Sequence, residues 1–247
     1  MQNTILLYKP ISITPLQLTH KFRQQYPEYE KVTLGYAGRL DPMADGLLLL
    51  LAGEENKKRK SYEDLSKEYA CEVLFGIETD TYDILGKIIN QTSISQHISE
   101  TVQEILQTFL GKQIQPYPPY SSQPVNGKPL YYWARKNKLD EITLPTKAIE
   151  IYDIALLSQK AISAKDLEKI IFERIQKVTG DFRQKEIVTV WKEFFEKNNH
   201  QTFTVFRFRI ACSSGTYIRS FAHNLGRKLG SSAIALRITR TKIGNYL

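Results

Sequence analysis

The sequence predicts a fold that mixes α-helices with β-strands and is built around one large domain. Segments in which every second residue is apolar, as in half-buried strands, are interspersed with segments whose apolar residues recur at helical spacing. The chain has 247 residues and is 42% hydrophobic, which suffices for one large core, or for one domain with a sizeable insertion. It contains no low-complexity tract and no internal repeat.

Six segments have the pattern of strands. They are residues 5–8, 47–52, 68–75, about 87–90, 149–157 and 203–210. In the third segment, alternation places four residues on one face: Tyr69, Cys71, Val73 and Phe75. In the last segment, the same rule places Thr204, Phe206, Phe208 and Ile210 on one face and Arg207 and Arg209 on the other.

Four segments are predicted to be helices. The first follows Thr14, a good N-cap, has Pro15 at its first position and extends to about residue 25. The second, residues 98–109, is followed by Gly111, which suits the position that closes a helix. The others cover residues 164–178 and about 218–229, and a short Ser-Gly loop before the last one brings Arg219 into its first turn.

Asp41 lies in a glycine-bearing loop, residues 35–46, directly before Pro42 and the apolar run 47–52. The residue before a proline is disfavoured in helices, so Asp41 is expected in an extended or turn conformation. A loop held by a rigid strand is a common way to present a catalytic carboxylate. An ordinary Asp-Pro turn is the alternative on these residues alone.

The charges of the chain are segregated. Its 34 basic and 26 acidic residues give a net charge of +8, and residues 201–247 contain eight basic residues and no Asp or Glu. The first 200 residues are therefore neutral in sum. This separation favours a polyanionic partner over a merely solvated basic face.

The sequence argues against a membrane or an oxidising compartment. Its start has no basic stretch before a short apolar run, so no signal peptide is predicted, and no long apolar span occurs elsewhere. Cys71 and Cys212 lie far apart and do not form a metal-type pair, so neither a disulfide framework nor a zinc site is expected. Both are predicted to be buried thiols of a cytoplasmic protein.

Several blocks resemble, in the same order, those of the TruB-type tRNA pseudouridine synthases, which isomerise the T-loop uridine at position 55. The resemblance spans nearly the whole chain. It rests on residues 6–10, with a Lys-Pro pair; 35–46, with Asp41; 67–69, 76–83 and Gly86, with Tyr69; 119–122, 126–128 and 130–135; 212–219, with Arg219; and 236–244.

The resemblance implies a fold, a partner and a reaction. The fold is an α+β domain over residues 1–247, with a central, mostly antiparallel mixed sheet flanked by helices and an active-site cleft crossing the sheet. An arm at about residues 115–137 is expected to clasp the T arm of tRNA, and the enzyme is expected to act as a monomer. Isomerising uridine involves no redox change and no net hydrolysis, so neither a cofactor nor a metal is expected.

Three residues match the family's catalytic positions. Asp41 is expected to act as the nucleophile or electrostatic stabiliser, and Arg219 to keep it ionised and oriented. Tyr69 is expected to stack on the flipped uracil and to move a proton late in the reaction. Whether Asp41 attacks the sugar or assists elimination to a glycal is open at this point. Six further residues are expected to contact the substrate: Lys9, Tyr36, Arg39, Tyr120, Leu236 and Arg237.

The chain departs from the family pattern in four places. Tyr36 stands where the family usually has histidine, and Arg39 where it usually has a small or hydroxylated residue. A segment at about residues 159–199 is longer than the usual link, and it is either an insertion that widens the RNA footprint or a structural spacer. The chain ends at Leu247, where many members continue into a small RNA-binding (PUA) domain, whose loss would weaken the grip on tRNA more than the chemistry.

Alternatives to this enzyme remain at the level of sequence. A non-catalytic tRNA-folding chaperone on the same fold is the first of them, and Tyr36 keeps it open. A glycosylase is not excluded by residue types, whereas the His-x-Glu and Pro-Cys-x-x-Cys motifs of zinc deaminases do not occur. Helix-turn-helix and zinc-finger signatures of DNA-binding domains are not found either.

Overall fold

A computed structural model describes residues 2–92 and 98–247 of the chain. In these residues the strands are β1 (Thr4–Lys9), β2 (Leu34–Ala37), β3 (Ala44–Ala52), β4 (Lys67–Phe75), β5 (Ile77–Thr79), β6 (Ile88–Gln91), β7 (Gly111–Pro116), β8 (Pro124–Val125), β9 (Lys128–Pro129), β10 (Thr146–Ser163), β11 (Thr202–Cys212) and β12 (Ala233–Ile243). The α-helices are α1 (Pro15–Gln25), α2 (Arg59–Glu63), α3 (Ile98–Gln107), α4 (Leu130–Arg135), α5 (Ala164–Gln176), α6 (Gln184–Asn198) and α7 (Ile218–Lys228).

One mixed sheet forms the centre of the molecule. Its strand order is β1-β3-β12-β4-β11-β10-β7, and β2 pairs with β3 beside this path. Every pairing in it is antiparallel except that of β12 with β3, which is parallel. The predicted α+β class, with a mostly antiparallel mixed sheet flanked by helices, is confirmed.

Helices cover the two faces of this sheet at different places. Helices α3 and α7 cover one face, where Phe206, Phe208 and Phe221 belong to one buried cluster. Helices α5 and α6 cover one end of the opposite face, where Trp191 is fully buried among apolar side chains of both helices. Polar residues of the same face form ion pairs such as Lys160–Glu72, which joins β10 to β4 across the intervening β11.

The two-sided cover buries residues of β11 that the predicted alternation did not mark. Phe206, Phe208 and Ile210 of the predicted set lie in the core, and Thr204 of the same set is partly buried. Phe203 and Val205, on the other face, are buried beneath α5 and α6. Tertiary packing on a second face cannot be read from the period of one strand.

Several element boundaries differ from the prediction. Strand β2 includes Gly35 and Tyr36, and β3 begins at Ala44, so the loop around Asp41 is shorter than predicted. Helix α3 ends at Gln107, and Gly111, with φ +83°, opens β7 instead of closing the helix. Strand β10 continues to Ser163 because its polar end pairs with β11 through backbone hydrogen bonds.

The predicted arm, residues 115–137, is partly integrated into the sheet. Gln115 and Pro116 belong to the edge strand β7, and the rest forms a loop, the short β8–β9 hairpin and helix α4. Leu130 and Ala134 bury one side of α4. That the arm clasps RNA remains a prediction.

The long segment 159–199 consists of the end of β10 and the helices α5 and α6. It completes the buried cluster beneath α5 and α6, and the Trp191 Nε1–H donates to the Gly86 carbonyl at 3.1 Å. Its helices are amphipathic, with Leu167 and Ile171 fully buried. The segment is therefore packed against the sheet, whatever it contributes to RNA binding.

Candidate active site

The loop between β2 and β3 is held on both sides of Asp41. Leu40 is buried in the cluster under α3 and α7, and Met43 is buried in the cluster under α5 and α6. The Pro42 carbonyl accepts a hydrogen bond from the Ser12 amide at 2.7 Å. Asp41, between these anchors, has 38% of its side chain exposed, so a substrate can reach the carboxylate.

Arg219 holds the Asp41 carboxylate from the protein interior. Its Nε donates to Asp41 Oδ2 at 2.7 Å, its Nη1 to the Thr81 carbonyl at 2.7 Å, and its Nη2 to the Tyr120 carbonyl at 3.2 Å. Only 3% of its side chain is exposed. Burial lowers the pKa of Arg219, but the charges of Asp41 and Asp83 outweigh that effect and raise it. The predicted pairing of Asp41 with Arg219 is present in the structure.

Asp83 is a second carboxylate beside the same guanidinium. Its Oδ2 lies 3.8 Å from Arg219 Nε, and its Oδ1 accepts hydrogen bonds from Thr81 Oγ1 and the Leu85 amide. Burial raises the pKa of Asp83 to about 6, against the lowering effect of Arg219. Sequence reasoning recognised the 76–83 block but did not assign this residue a role. The feature of the sequence that could have pointed to Asp83 is its position in a turn-like run, two residues after Thr81.

A cavity of about 290 Å³ opens beside Asp41. Its apolar wall includes Leu40, Ala44, Ile218 and Ile238. Its polar and charged lining includes Arg39, Lys60, Lys67, Lys147, Ser121, Ser122, Tyr217 and Arg240. The lining also includes Glu63 and Asp64, and Asp64 pairs with Lys60. The accessible Asp41 carboxylate thus lies between an apolar wall and a mainly cationic rim, which suits a planar base attached to a phosphate backbone.

Tyr69 forms part of the same cavity. It lies on β4, is buried, and shares a hydrogen bond with Arg240. Burial raises the pKa of its hydroxyl from the ordinary value of a tyrosine. The structure thus brings together Asp41, Tyr69 and Arg219 from three distant parts of the sequence.

Three further lining residues were not predicted. Tyr217 precedes α7, and burial raises the pKa of its hydroxyl to about 12. Arg240 is fully buried and donates from Nε to the Leu47 carbonyl at 2.7 Å. Ile238, and not Leu236, is the β12 residue that lines the cavity. Tyr217 and Ile238 lie within recognised blocks, but nothing in their spacing marks them as lining residues.

Two predicted substrate contacts require correction. The Lys9 side chain is fully buried, and its Nζ donates to the Pro10 and Ile13 carbonyls at 3.0 and 2.7 Å. It cannot meet an RNA phosphate there, and burial lowers its pKa to about 8. Leu236 is buried with Ile234 in the cluster of α5 and α6, and a bulge between Ala235 and Arg237 shifts the alternation so that Ile238 belongs to the cluster on the other face. It does not line the cavity beside Asp41 in the described part of the chain.

Of the other four predicted substrate contacts, Arg39 is the one that lines the cavity among the described residues. Its Nη1 donates to Ser122 Oγ. Tyr36 packs on the cluster beneath α1, with the Arg59 guanidinium 5.6 Å from its ring. Arg237 pairs with Asp45 at 2.8 Å, and the Tyr120 ring lies under the Arg183 guanidinium. Their contacts with RNA stay predictions.

Among the described residues, no group of three or more His, Cys, Asp or Glu side chains is arranged to hold a metal ion. No helix among them is both long enough and apolar enough to cross a membrane.

Comparison with known proteins agrees with this geometry. A family described as TruB family pseudouridylate synthase (N terminal domain) matches residues 26–173. A relative from Oceanobacillus iheyensis named tRNA pseudouridine synthase B is 31% identical over 247 residues, which are 100% of this chain and 67% of the relative. A relative of the same name from Parabacteroides distasonis is 30% identical over 240 residues, covering 96% of this chain and 83% of the relative.

Solved structures show the same fold at lower identity. A chain from the crystal structure of a Cbf5-Nop10-Gar1 complex superposes with a TM-score of 0.58 at 17% identity, covering 98% of this chain and 49% of that one. A chain from an H/ACA RNP bound to a substrate RNA containing 2′-deoxyuridine gives 0.55 at 16% identity, with 98% and 48% covered. This chain thus spans about half the length of those solved chains. The matches over most of its sequence show that it belongs to the TruB family of pseudouridylate synthases.

Proposed function

We propose that this chain converts the T-loop uridine of tRNA, position 55, into pseudouridine, with Asp41 as the group that acts on the sugar. The observation that carries the proposal is the Asp41–Arg219 pair at the mouth of the cavity. A buried guanidinium, bonded at all three nitrogens, holds an accessible carboxylate that lines the cavity where a base would sit. The names of the relatives support tRNA as the substrate.

The reaction assigns a task to each residue of the pair. The C1′–N1 bond breaks, the freed uracil rotates, and a C1′–C5 bond forms while the C5 proton is lost and N1 gains a proton. Asp41 must be ionised either to attack C1′ or to assist elimination to a glycal, and Arg219 stabilises the ionised form. Both routes stay open, because each uses the same carboxylate at the same place.

Tyr69 and the apolar wall supply the surface for a flipped base. A base inside folded RNA reaches such a carboxylate only after leaving its stack, and aromatic side chains offset the lost stacking. Tyr69 has the aromatic face, and its neutral hydroxyl can donate a proton in a late step. Leu40, Ala44 and Ile238 belong to the same buried cluster as Tyr69 and give the cavity apolar surface for a pyrimidine ring.

The cationic rim and the arm are proposed to hold the T arm of tRNA. Arg39, Lys60 and Lys147 surround the cavity mouth, where phosphates flanking a flipped nucleotide would pass. The arm, residues 115–137, lies beside this mouth through Ser121 and Ser122. We further propose that the enzyme acts as a monomer in the cytoplasm, in line with its two buried free thiols.

Tritium release from a tRNA T arm labelled at C5 of uridine tests the proposal. Wild type should release tritium from the RNA with uridine at position 55 and not from one with cytidine there. Asp41→Asn should lower the rate constant by about 10³-fold or more, because the amide neither attacks nor carries charge. Its affinity for the RNA should stay within about threefold of wild type.

Asp153→Asn is the matched control, since Asp153 is exposed and pairs with Arg209 on the polar face of the sheet. It should release tritium at the wild-type rate. If wild type and Asp41→Asn both bind the RNA and neither releases tritium, the chain acts as a binding protein and the proposal fails. An Asp41→Asn variant as active as wild type would remove Asp41 from the mechanism.

A further inference from the structure

The orientation of Arg219 depends on two backbone carbonyls that belong to irregular segments. The Thr81 carbonyl lies in the turn between β5 and β6, and the Tyr120 carbonyl lies in the loop after β7. Neither residue belongs to a strand of the central sheet. The turn with Thr81 is attached to β12 next to that acceptor, where the Tyr82 carbonyl accepts a hydrogen bond from the Ala235 amide at 3.0 Å. The spacing of the two acceptors that the Arg219 guanidinium requires therefore depends also on contacts outside the sheet, above all for the loop with Tyr120.

Arg183 joins the two segments. Its Nη1 and Nη2 donate to Asp80 Oδ2 and Oδ1 at 2.6 and 3.1 Å, the bidentate geometry that fixes both partners. The same guanidinium lies 4.1 Å above the centre of the Tyr120 ring, and the Tyr120 hydroxyl hydrogen-bonds Asp80. Asp80 is the residue directly before Thr81. The Arg183 side chain therefore contacts both segments that carry the acceptors of Arg219.

Arg183 is itself held firmly. It adopts a left-handed conformation, φ +62°, at the start of α6, and only 12% of its side chain is exposed. Helix α6 is anchored by the buried Trp191, which bonds Gly86 in the same turn region as Asp80. Arg183 is not among the described residues that line the cavity beside Asp41. Any effect of Arg183 on the reaction must therefore act through Asp80 and Tyr120.

We infer that Arg183 is a positioning residue for the Asp41–Arg219 pair, acting through Asp80 and Tyr120 on the two carbonyls that orient Arg219. This assigns part of the segment 159–199 to the support of the catalytic geometry, in addition to its packing role. The kinetic part of the inference rests on the proposed function. A displacement of a reacting group by about 1 Å can cost roughly 10²-fold in rate, so the loss of this support is expected to lower the chemical rate constant by about 10- to 100-fold.

Arg183→Gln tests the inference in the full chain. Under single-turnover conditions with saturating tRNA T arm, its rate constant for tritium release should fall by about 10- to 100-fold, while the dissociation constant stays within about threefold. Arg183→Lys keeps the charge but cannot form the bidentate pair, so its rate constant should lie between that of wild type and that of Arg183→Gln. If Arg183→Gln fails to fold, Asp80→Asn, which weakens the same contact from the other side, should give the same kinetic result.

The matched control is Glu186→Gln. Glu186 pairs with Lys87 and so links the same turn to the same helix, but this ion pair reaches neither acceptor of Arg219. It should leave the single-turnover rate constant unchanged. The double variant Arg183→Gln/Asp80→Asn should be no slower than the slower single variant, because both changes remove one interaction.

A second readout does not depend on turnover. In protein labelled with ¹⁵N-arginine, the Arg219 Nε–H resonance, assigned by its loss in Arg219→Lys, should shift in Arg183→Gln and not in Glu186→Gln. If wild type releases no tritium, the proposed function fails, and this resonance still decides the positioning role. An unchanged resonance with an unchanged rate constant overturns the inference. The inference is also overturned if Arg183→Gln binds tRNA more weakly but reacts at the wild-type rate when saturated, because Arg183 would then contact RNA.

Discussion

At the residue scale, Asp83 bears directly on the charge of the Asp41–Arg219 pair. Two carboxylates share one buried guanidinium, so the three groups carry a net charge of −1 when both acids are ionised. Burial raises the pKa of Asp83 to about 6, well above the 3.8 of a solvated aspartate. Asp83 thus changes charge just below neutral pH, next to the group that orients the reacting carboxylate.

This shift predicts a pH-dependent stability. Because the folded state binds the Asp83 proton more tightly than the unfolded chain does, the contribution of this group to stability is largest near pH 4 and falls as the pH rises through 6. The unfolding free energy of wild type, minus that of Asp83→Asn, should therefore decrease by about 2 kcal/mol between pH 4 and pH 7. Urea denaturation of both proteins at each pH measures it, and a constant difference would contradict it.

At the element scale, the parallel pairing of β3 with β12 depends on Gly46. This glycine has φ +110°, and a Cβ built on it would lie 2.3 Å from the Arg240 carbonyl oxygen and 2.5 Å from its amide nitrogen. The close approach of the two backbones brings Arg240 against Tyr69 and the cavity. A side chain at position 46 would force the two strands apart.

Gly46→Ala is accordingly expected to lower the unfolding free energy by about 3 kcal/mol or more, through the backbone clash and the left-handed conformation together. Gly53→Ala is the matched control: it also has a positive φ, +58°, but a Cβ there meets nothing within 4 Å. Its cost should be about 1 kcal/mol, from the backbone conformation alone. Urea denaturation followed by circular dichroism compares them, and equal losses would show that the strands tolerate the methyl group.

At the scale of the whole molecule, the sheet brings the charges of distant segments to one opening. The acid-free segment 201–247 predicted a polyanion partner, but two of its arginines, Arg219 and Arg240, are buried. Arg209 and Arg237 form ion pairs with acids of other strands. The cavity rim takes Arg39, Lys60 and Lys147 from the rest of the chain instead.

Lys147 on this rim is expected to contribute to RNA binding through phosphate contact. Lys147→Gln should weaken the affinity for the T arm and reduce the slope of log K against log salt concentration by about 0.7 to 0.9, one neutralised phosphate. The single-turnover rate constant at saturation should not change. Lys160→Gln, on the polar face where Lys160 pairs with Glu72, serves as control. Equal slopes of log K against log salt concentration for wild type and Lys147→Gln would show that Lys147 does not contact an RNA phosphate.

Local patterns in the sequence were sufficient for much of the fold. Thr14 and Pro15 marked the start of α1, where the capping box is present, and alternation in β4 placed Tyr69 correctly on a buried face. The Ser-Gly loop before α7 put Arg219 in the first turn of that helix. Such signals succeed because the interactions that they reflect lie within a few residues.

Interactions between distant residues decided the rest. Leu236 has the apolar character of a lining residue, but a bulge in β12 turns Ile238 to the cavity instead. Lys9 is a lysine that the packing of β1 buries completely, and Arg183 and Asp80 meet across 103 positions of sequence. The sequence by itself determined which elements form, which blocks carry the family resemblance and that Asp41 is presented by a loop. Only the tertiary structure decided which side chains surround Asp41, because burial and long-range pairing depend on how the whole sheet is assembled.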